Sequence, residues 1–427
     1  MAVRGVGFGN PVRRDRQSIN NIFTIGPAPF PELGDPQTAV YQSLLRPIGS
    51  PPLHDLVKKG SRVLLITDDS TRPTPQRLLI PSLLEELNKA GIRDREIQIL
   101  IALGTHRRMT EKEMQKHFGR AVYRRVDIIN HEYDNPSFLK PGGRTADGTP
   151  IVVNRRILEA DLVVGVSSIV PHAQVGWGGG AKIVVPGAAG AGTVSKMHLL
   201  AARLPDYPFF AGRVENPVRH LIEAVARKVG FAFILNAIFN GRYKLSQIVA
   251  GDPVSAHRAG VKIAQKIFIR PIPKLVDVVI VDAHPADVDY WQGLKPETLA
   301  ALAVKPGGVI IINGRFPDGV SPIHDELDRF GTLTKNQIDS LVQDGTINDG
   351  AAAGALYQHA AIRARATVLC VSDGISHVQA DRLGLRKLPS LEEAIAVAQQ
   401  TKGGDAEIGI IEEGGEVVPT LKTALEG

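Results

Sequence analysis

The chain has 427 residues, of which 43% are hydrophobic and 22% are charged, and this size and composition predict a globular protein of two domains. Its formal net charge of +6, from 50 basic and 44 acidic residues, is not accompanied by a long basic stripe or a nucleic-acid-binding module, so we expect no nucleic-acid partner. A single cysteine, Cys370, excludes a disulfide framework and a multi-cysteine metal site.

The sequence also lacks membrane signals. It has no uninterrupted apolar run of about 18 residues, and residues 1–9 lack the apolar core of a signal peptide. We therefore expect a cytoplasmic protein with no membrane span.

Short runs rich in β-branched residues recur along the chain, each ending in turn or polar residues. They are continuously apolar rather than alternating, which is typical of parallel strands covered on both faces. Helical patterns lie between them, at 81–90 and at 253–266, where Asp252 is a candidate N-cap. This alternation predicts an α/β fold. The predicted strands are 62–67, 97–102, 161–166, 276–281, 308–313, 367–371 and 407–411.

The segment 269–274, Ile-Arg-Pro-Ile-Pro-Lys, reads as a connector stiffened by prolines. A new strand follows it at Val276. We therefore predict one domain over residues 1–270 and a second over residues 275–427, each with a mostly parallel sheet flanked by helices.

Candidate functional residues follow the predicted strands, because ligands in open α/β sheets bind beyond the carboxyl ends of the strands. Three strands of the first domain are followed by 68–75 (Asp-Asp-Ser-Thr-Arg-Pro-Thr-Pro), 104–110 (Gly-Thr-His-Arg-Arg-Met-Thr) and 167–172 (Ser-Ser-Ile-Val-Pro-His). Each histidine alone would suit a structural role. His106 and His172 at neighbouring strand ends, with Arg72 beside them, favour a catalytic site.

A glycine-rich loop at 176–182, Gly-Trp-Gly-Gly-Gly-Ala-Lys, is neither a P-loop nor a dinucleotide fingerprint. Ala181 stands where a P-loop has glycine, and Ile183 stands where it has Ser or Thr. The glycines still allow a backbone to approach a bulky ligand. Lys182 precedes an apolar run, where partial desolvation would make its amine a better nucleophile.

Taken in order, these motifs resemble the nickel-dependent lactate racemase family, whose members act as racemases or epimerases. The resemblance extends from about residue 60 to about residue 300. It rests on the strand-end motif at 68–75, on Ala-Leu-Gly-Thr-His-Arg at 102–107, on Pro-His at 171–172, on Gly-Gly-Ala-Lys at 179–182, on Pro-Gly at 186–187, and on Trp-Gln-Gly-Leu-Lys at 291–295.

The resemblance implies a nickel-pincer nucleotide as cofactor, a pyridinium mononucleotide whose ring carbon and two sulfur-containing arms bind nickel. It implies that Lys182 holds this group through a thioamide and that His198 completes the nickel coordination. Proteins that synthesise the cofactor are then expected partners. Residues expected to contact the cofactor are Asp69, Ser70, Thr71, Gly179 and Gly180.

The resemblance further implies that His106 and His172 are the catalytic pair, in an active site located in the cleft between the two domains. A 2-hydroxy acid is the implied substrate, interconverted between stereoisomers by transient hydride transfer. Its expected protein contacts are Arg72, Lys295, Gln292 and Trp291.

Three departures from the family pattern bear on the substrate or the loop. Gly178 stands where serine is frequent, Trp291 replaces a tyrosine, and His284 interrupts a stretch that is usually glycine-rich. Together with Arg107 and Arg108, Trp291 leaves open a larger substrate, such as malate, or a C2 epimerase of a sugar or sugar acid with the same cofactor. From the residues alone, a nicotinamide-dependent dehydrogenase, a Schiff-base lyase using Lys182 and a non-enzymatic binding protein also remain alternatives.

Overall fold

The computed structural model describes residues 20–146 and 148–424. They form two compact units. The N-terminal unit comprises residues 28–268 and 348–354, and the C-terminal unit comprises the described residues of 1–27, 269–347 and 355–427.

The described strands and helices alternate along most of the chain. The strands are β1 (Asn21–Ile25), β2 (Val63–Thr67), β3 (Ile97–Ile101), β4 (Asp127–Asn130), β5 (Leu139–Arg144), β6 (Pro150–Asn154), β7 (Leu162–Ser168), β8 (Pro171–His172), β9 (Gly176–Trp177), β10 (Phe231–Phe239), β11 (Leu245–Gly251), β12 (Ile269–Ile272), β13 (Val276–Asp282), β14 (Val304–Asn313), β15 (Ala366–Val371), β16 (Arg386–Leu388), β17 (Ile408–Ile411) and β18 (Val418–Leu421). The helices are α1 (Pro36–Leu45), α2 (Gln76–Lys89), α3 (Glu111–Phe118), α4 (Arg120–Arg125), α5 (Arg155–Glu159), α6 (Ala191–Ala202), α7 (Pro217–Lys228), α8 (Ser255–Phe268), α9 (Tyr290–Ala301), α10 (Glu326–Phe330), α11 (Lys335–Gln343), α12 (Gly350–Arg365), α13 (His377–Leu383) and α14 (Leu391–Lys402).

The sheet of the N-terminal unit has six strands in the order β11-β10-β7-β2-β3-β4. All neighbouring pairs are parallel except β10 with β11. Every residue of β2 and β7 is buried, because helices cover both faces of a parallel sheet. Leu65 and Ile99 of the sheet lie in one apolar cluster with Leu79 and Leu83 of α2.

The sheet of the C-terminal unit also has six strands, in the order β1-β17-β13-β14-β15-β16, and all of them are parallel. Its core joins Val278, Ile311 and Ile408 with Ala394 of α14. Cys370 is fully buried in β15. The predicted α/β fold with two mostly parallel, helix-flanked sheets is confirmed.

Three details differ from the sequence-based prediction. A single boundary between 270 and 275 places β1 in the first domain, but β1 pairs with β17 and so belongs to the C-terminal unit. The expected connector at 269–274 contains β12, which pairs in parallel with β18. A two-stranded ribbon leaves one side of each strand unpaired, so Pro271 is tolerated there. Helix α2 begins at Gln76, ahead of the predicted start at 81, with Pro81 inside it.

In residues 20–146 and 148–424 none of the helices has the length and apolar character that crossing a membrane requires.

Candidate active site

The carboxyl edge of the N-terminal sheet carries the predicted catalytic loops. Strand β2 pairs with both β3 and β7, so the loop that contains Asp69 lies between the loops that follow β3 and β7. The histidines therefore follow the two strands that flank β2, and their strands are not direct neighbours as the sequence had suggested.

Asp69 and His106 form a close pair at this edge. Oδ2 of Asp69 lies 2.8 Å from Nδ1 of His106, and the carboxylate is only 5% exposed whereas the imidazole is 30% exposed. Burial alone would raise the pKa of Asp69, but the charge of His106 and its hydrogen bond, aided by Arg72 and Thr71, lower that pKa well below its usual value. Asp69 is therefore an ionised acceptor that fixes the imidazole.

Asp69 and the residues that follow it form a turn, in which the Arg72 N–H donates to the Asp69 carbonyl. The backbone N–H of Thr71 donates to Oδ1 of Asp69 at 2.9 Å, and the Thr71 hydroxyl donates to the same oxygen. The Arg72 guanidinium is half-buried and donates to the Thr71 hydroxyl at 3.2 Å, while Ser70 is exposed. The structure thus brings Asp69, Thr71, Arg72 and His106 together.

Asp68 supports the same turn from inside. Its carboxyl group is buried and accepts from the Thr74 hydroxyl at 2.5 Å and from the Gln76 amide at 2.9 Å. Burial raises the pKa of Asp68 to about 7, against the opposing effect of these hydrogen bonds. Nε2 of His117 donates to its backbone carbonyl at 3.2 Å. Two adjacent aspartates therefore have different roles, one facing inward and one facing His106.

His172 lies in a short hairpin in which β8 pairs with β9. Its imidazole is half-buried, and Nδ1 accepts a hydrogen bond from the backbone N–H of Gln174 at 3.2 Å. The Gln174 side chain donates to the buried hydroxyl of Tyr207 at 2.7 Å. The turn of the hairpin therefore fixes the orientation of the His172 imidazole.

The glycine loop continues from this hairpin and is held from behind by two buried side chains. The Arg219 guanidinium donates to the carbonyls of Trp177 and Gly179, and Nε2 of His257 donates to the carbonyl of Gly178 at 2.8 Å. Arg219 is fully buried, and burial lowers its pKa to about 10. Three successive loop carbonyls thus have charged or imidazole donors.

Lys182 lies in a short 3-10 helix, Gly180–Ile183, at the end of this loop. The Asn236 side chain accepts from the Gly180 N–H at 3.0 Å. Gly165 of β7 has no side chain where a Cβ would lie 2.9 Å from Cγ2 of Ile183, so the segment can pack directly on the sheet. The Lys182 side chain is half-buried.

Backbone hydrogen bonds connect this segment with the other loops. The Gly104 N–H, in the His106 loop, donates to the Gly187 carbonyl at 2.9 Å, and the Gly178 N–H donates to Val170 at 2.7 Å. Buried His131 donates to Ala189 at 2.9 Å, just before α6. The loops bearing His106, His172 and Lys182 are therefore one hydrogen-bonded assembly, and α6 with His198 follows from it directly.

His198 is half-buried on α6. Within residues 20–146 and 148–424 it belongs to no group of three His, Cys, Asp or Glu side chains with ligand atoms close enough to share a metal. Cys370 is in the other unit, and burial raises the pKa of its thiol to about 12. One imidazole is a poor site for a free divalent ion, but it suits a nickel whose other donors come from an organic cofactor.

The remaining predicted contacts lie on α9 of the C-terminal unit. Trp291, Gln292 and Lys295 are the half-buried positions of a helix whose other residues are buried. The Trp291 ring stacks on His324, with centroids 4.2 Å apart. The three predicted substrate residues of the C-terminal unit therefore share one face of this helix. Their predicted convergence with the histidines of the N-terminal unit, in a cleft between the domains, stays a prediction.

Arg107 and Arg108 have protein partners. Arg107 donates to both carboxylate oxygens of Glu113, at 3.0 and 2.7 Å, and Arg108 lies 2.8 Å from Glu132. Their charges therefore do not argue for a second acidic group on the substrate. His284 pairs with Asp287 at 3.2 Å, and this hydrogen bond raises the pKa of His284.

Comparison with known proteins gives this geometry its context. Residues 16–206 match the lactate racemase N-terminal domain and residues 273–418 match the lactate racemase C-terminal domain. The chain belongs to the lactate racemase family. A lactate racemase from Thermoanaerobacterium thermosaccharolyticum is 30% identical over 387 residues, which is 89% of each chain. One from Lactiplantibacillus plantarum is 29% identical over 284 residues, 66% of this chain and 67% of that protein.

Solved structures agree with the sequence comparison. The lactate racemase apoprotein from Thermoanaerobacterium thermosaccharolyticum superposes with a TM-score of 0.83 at 27% identity, covering 94% of this chain and 95% of that chain. A Thermotoga maritima protein gives 0.71 at 24% identity, covering 92% and 100%, which supports the fold alone. Members of the lactate racemase family generally use a nickel-pincer nucleotide, and this chain is a racemase or epimerase of that family.

Sequence reasoning missed the residues that hold the site in place. Arg219 lies 40 and 42 residues from the carbonyls it binds, and His257 lies 79 residues from Gly178. Nothing in a local motif marks such partners. No sequence motif singles out His131 or His257, which the structure shows as buried donors to loop carbonyls.

Proposed function

We propose that this member of the lactate racemase family interconverts the stereoisomers of a 2-hydroxy monocarboxylate. The observation that carries the proposal is the Asp69–His106 pair, 2.8 Å apart, beside Arg72 and in the same loop assembly as Lys182. This arrangement combines a positioned base, a carboxylate-binding cation and an attachment lysine.

Inversion by removing the carbon-bound proton is costly, because the carbanion forms beside an existing carboxylate charge. Transient oxidation avoids that carbanion. When bound, the nickel-pincer nucleotide supplies a hydride acceptor for this purpose. Lys182 would hold it covalently and His198 would donate to the nickel, with further contacts from the turn at 69–71 and from Gly179 and Gly180.

The chain's own residues orient the substrate and move the hydroxyl proton. Arg72 binds the carboxylate with its planar fork, and Lys295 adds a point charge, with Gln292 and Trp291 beside it on α9. Nε2 of His106 accepts the hydroxyl proton of one stereoisomer, and the Asp69 carboxylate stabilises the resulting imidazolium. His172 faces the hydroxyl of the other stereoisomer. The carboxylate stays anchored while the ketone turns its other face.

A monocarboxylate is favoured over malate, because Arg107 and Arg108 are engaged by Glu113 and Glu132. Chiral chromatography of reactions with lactate, malate and sugar acids tests this choice. Efficient racemisation of malate, or C2 epimerisation of a sugar acid in preference to any hydroxy monocarboxylate, would overturn the substrate class.

Intact-mass analysis of protein produced together with the cofactor-synthesis proteins tests attachment. We expect the covalent mass increase in the wild type and in Lys196→Ala, which alters an exposed lysine of α6, and its loss in Lys182→Ala. An unchanged loaded mass in Lys182→Ala would refute the role of Lys182.

A further inference from the structure

The two histidines of the loop assembly have different neighbours at the same ring atom. Nδ1 of His106 faces the Asp69 carboxylate at 2.8 Å, whereas Nδ1 of His172 faces the Gln174 backbone N–H at 3.2 Å. One neighbour can only accept a hydrogen bond and the other can only donate one.

For His106 this contact fixes the proton on Nδ1. Asp69 has no proton to donate, since its carboxylate is ionised despite its burial and already accepts from the N–H and hydroxyl of Thr71. The neutral imidazole must therefore carry Nδ1–H and leave its lone pair on Nε2. That is the form in which Nε2 can accept a proton.

For His172 the contact has the opposite consequence. A backbone amide cannot give up its proton, so Nδ1 must present its lone pair. The neutral ring then carries its proton on Nε2.

We propose that the resting enzyme holds its two catalytic histidines in opposite tautomers, with His106 as the proton acceptor and His172 as a neutral hydrogen-bond donor. Asp69 is then the positioning residue that selects the first tautomer, and the Gln174 backbone amide selects the second. The catalytic meaning of this asymmetry rests on the proposed function, whereas the tautomers themselves do not.

The asymmetry predicts that the two stereoisomers react at different rates. A hydroxyl facing His106 passes its proton to Nε2, and the new positive charge lies beside Asp69. Before a hydroxyl facing His172 can do the same, the proton on Nε2 must move to Nδ1, which breaks the hydrogen bond from Gln174. Losing one such bond slows the first reduction of the cofactor on the order of tenfold for that stereoisomer. In its resting form His172 instead polarises the ketone by donating from Nε2, as neutral histidines can.

NMR of the full-length chain labelled with 15N-histidine tests the proposal directly. Long-range proton–nitrogen spectra distinguish Nδ1–H from Nε2–H at a pH where both rings are neutral, and His106→Gln and His172→Gln assign the signals. We expect Nδ1–H at His106 and Nε2–H at His172. The same tautomer at both positions would overturn the proposal.

Asp69→Asn provides the decisive variant. The N–H and hydroxyl of Thr71 keep the side-chain oxygen on their side, so the new amide group points its N–H at Nδ1 of His106. We expect the proton of His106 to move to Nε2, together with a loss of racemisation of roughly ten-thousand-fold, the size known for the same change in an Asp–His pair. An unchanged tautomer in Asp69→Asn would overturn the proposal.

Asp68→Asn is the matched control, because Asp68 contacts Thr74 and Gln76 and not His106. It is expected to leave the His106 tautomer unchanged, and a shift in this variant would overturn the assignment to Asp69. These spectra need no cofactor. Opposite tautomers in a chain that fails to attach cofactor would refute the proposed function and leave this inference standing.

Discussion

Nδ1 of His106 lies 2.8 Å from Oδ2 of Asp69, across 37 residues of sequence. The contact exists because Asp69 follows β2, His106 follows β3, and these two strands are adjacent and parallel. The carboxylate that was expected to contact the cofactor therefore faces the His106 imidazole and fixes its orientation. The same aspartate still borders the turn at 69–71, so both roles are compatible.

Loss of either histidine is expected to stop racemisation in both directions, because forward and reverse paths share every step. His106→Ala and His172→Ala should each lower the rate by roughly a hundred- to ten-thousand-fold. Each variant should still reduce the loaded cofactor with one pure stereoisomer, and the two variants should do so with opposite ones. Stopped-flow absorbance measures this. If both variants reduce the cofactor with the same stereoisomer, the assignment of one histidine to each stereoisomer is contradicted.

Removal of His198 is expected to separate metal binding from covalent attachment. His198→Ala should keep the mass increase that reports the bond to Lys182 but lose nickel on dialysis, since one donor to the metal is gone. Metal analysis beside intact-mass measurement provides the check. His220→Ala, which removes an exposed histidine paired with Glu215, serves as the control and should retain nickel. Equal nickel content in both variants would exclude His198 as the ligand.

Removal of the arginine behind the glycine loop should destabilise the fold and impair cofactor loading. Arg219→Met leaves the carbonyls of Trp177 and Gly179 buried without their donor, which costs about 2–4 kcal/mol of unfolding free energy. Urea denaturation measures that loss. Arg227→Met, on the exposed side of the same helix, should cost less than about 0.5 kcal/mol. A loss equally small for Arg219→Met would show that the loop does not need this support.

The buried Glu297 of α9 should make stability depend on pH. Its carboxylate accepts from Tyr290 at 2.6 Å and lies 3.9 Å from Nδ1 of His359, and burial raises its pKa from 4.5 to about 7. The folded state therefore binds the proton more tightly than the unfolded state. Stability is greatest below the unfolded pKa and falls as pH rises from 4.5 to about 7.

Glu297→Gln removes this titration while keeping an acceptor for Tyr290 and adding a donor toward His359. The free energy of unfolding of the variant, relative to that of the wild type, should rise by up to about 3 kcal/mol from the acid end to the alkaline end of that window. Urea unfolding at both ends checks this. The exposed Glu392→Gln should change stability by less than about 1 kcal/mol. A wild-type minus Glu297→Gln difference that does not vary with pH would show that Glu297 is not titrating there.

Much of the architecture could be predicted from local pattern. Continuously apolar runs such as Val63–Thr67 and Leu162–Ser168 became fully buried parallel strands, because only a strand covered on both faces keeps every side chain from water. The proline-rich segment at 269–274 was misread because its partner, β18, lies about 150 residues further along. An even longer separation, from Asn21 to Ile408, hid the pairing of β1 with β17.

By itself, the sequence determined which chemical groups this protein has at the ends of its strands, since residue type and strand position are local properties. His106, His172 and Arg72 were visible in that way, and Lys182 was visible from the glycine-rich loop that precedes it. Only the tertiary structure decided which neighbours hold those groups, and the proposed tautomers follow from those neighbours. A tautomer depends on the atom that faces the ring, and for His106 that atom is supplied by the loop after another strand. Likewise, Arg219 reaches the carbonyls of the glycine loop only once α7 packs against that loop. The same packing buries its guanidinium and so lowers its pKa.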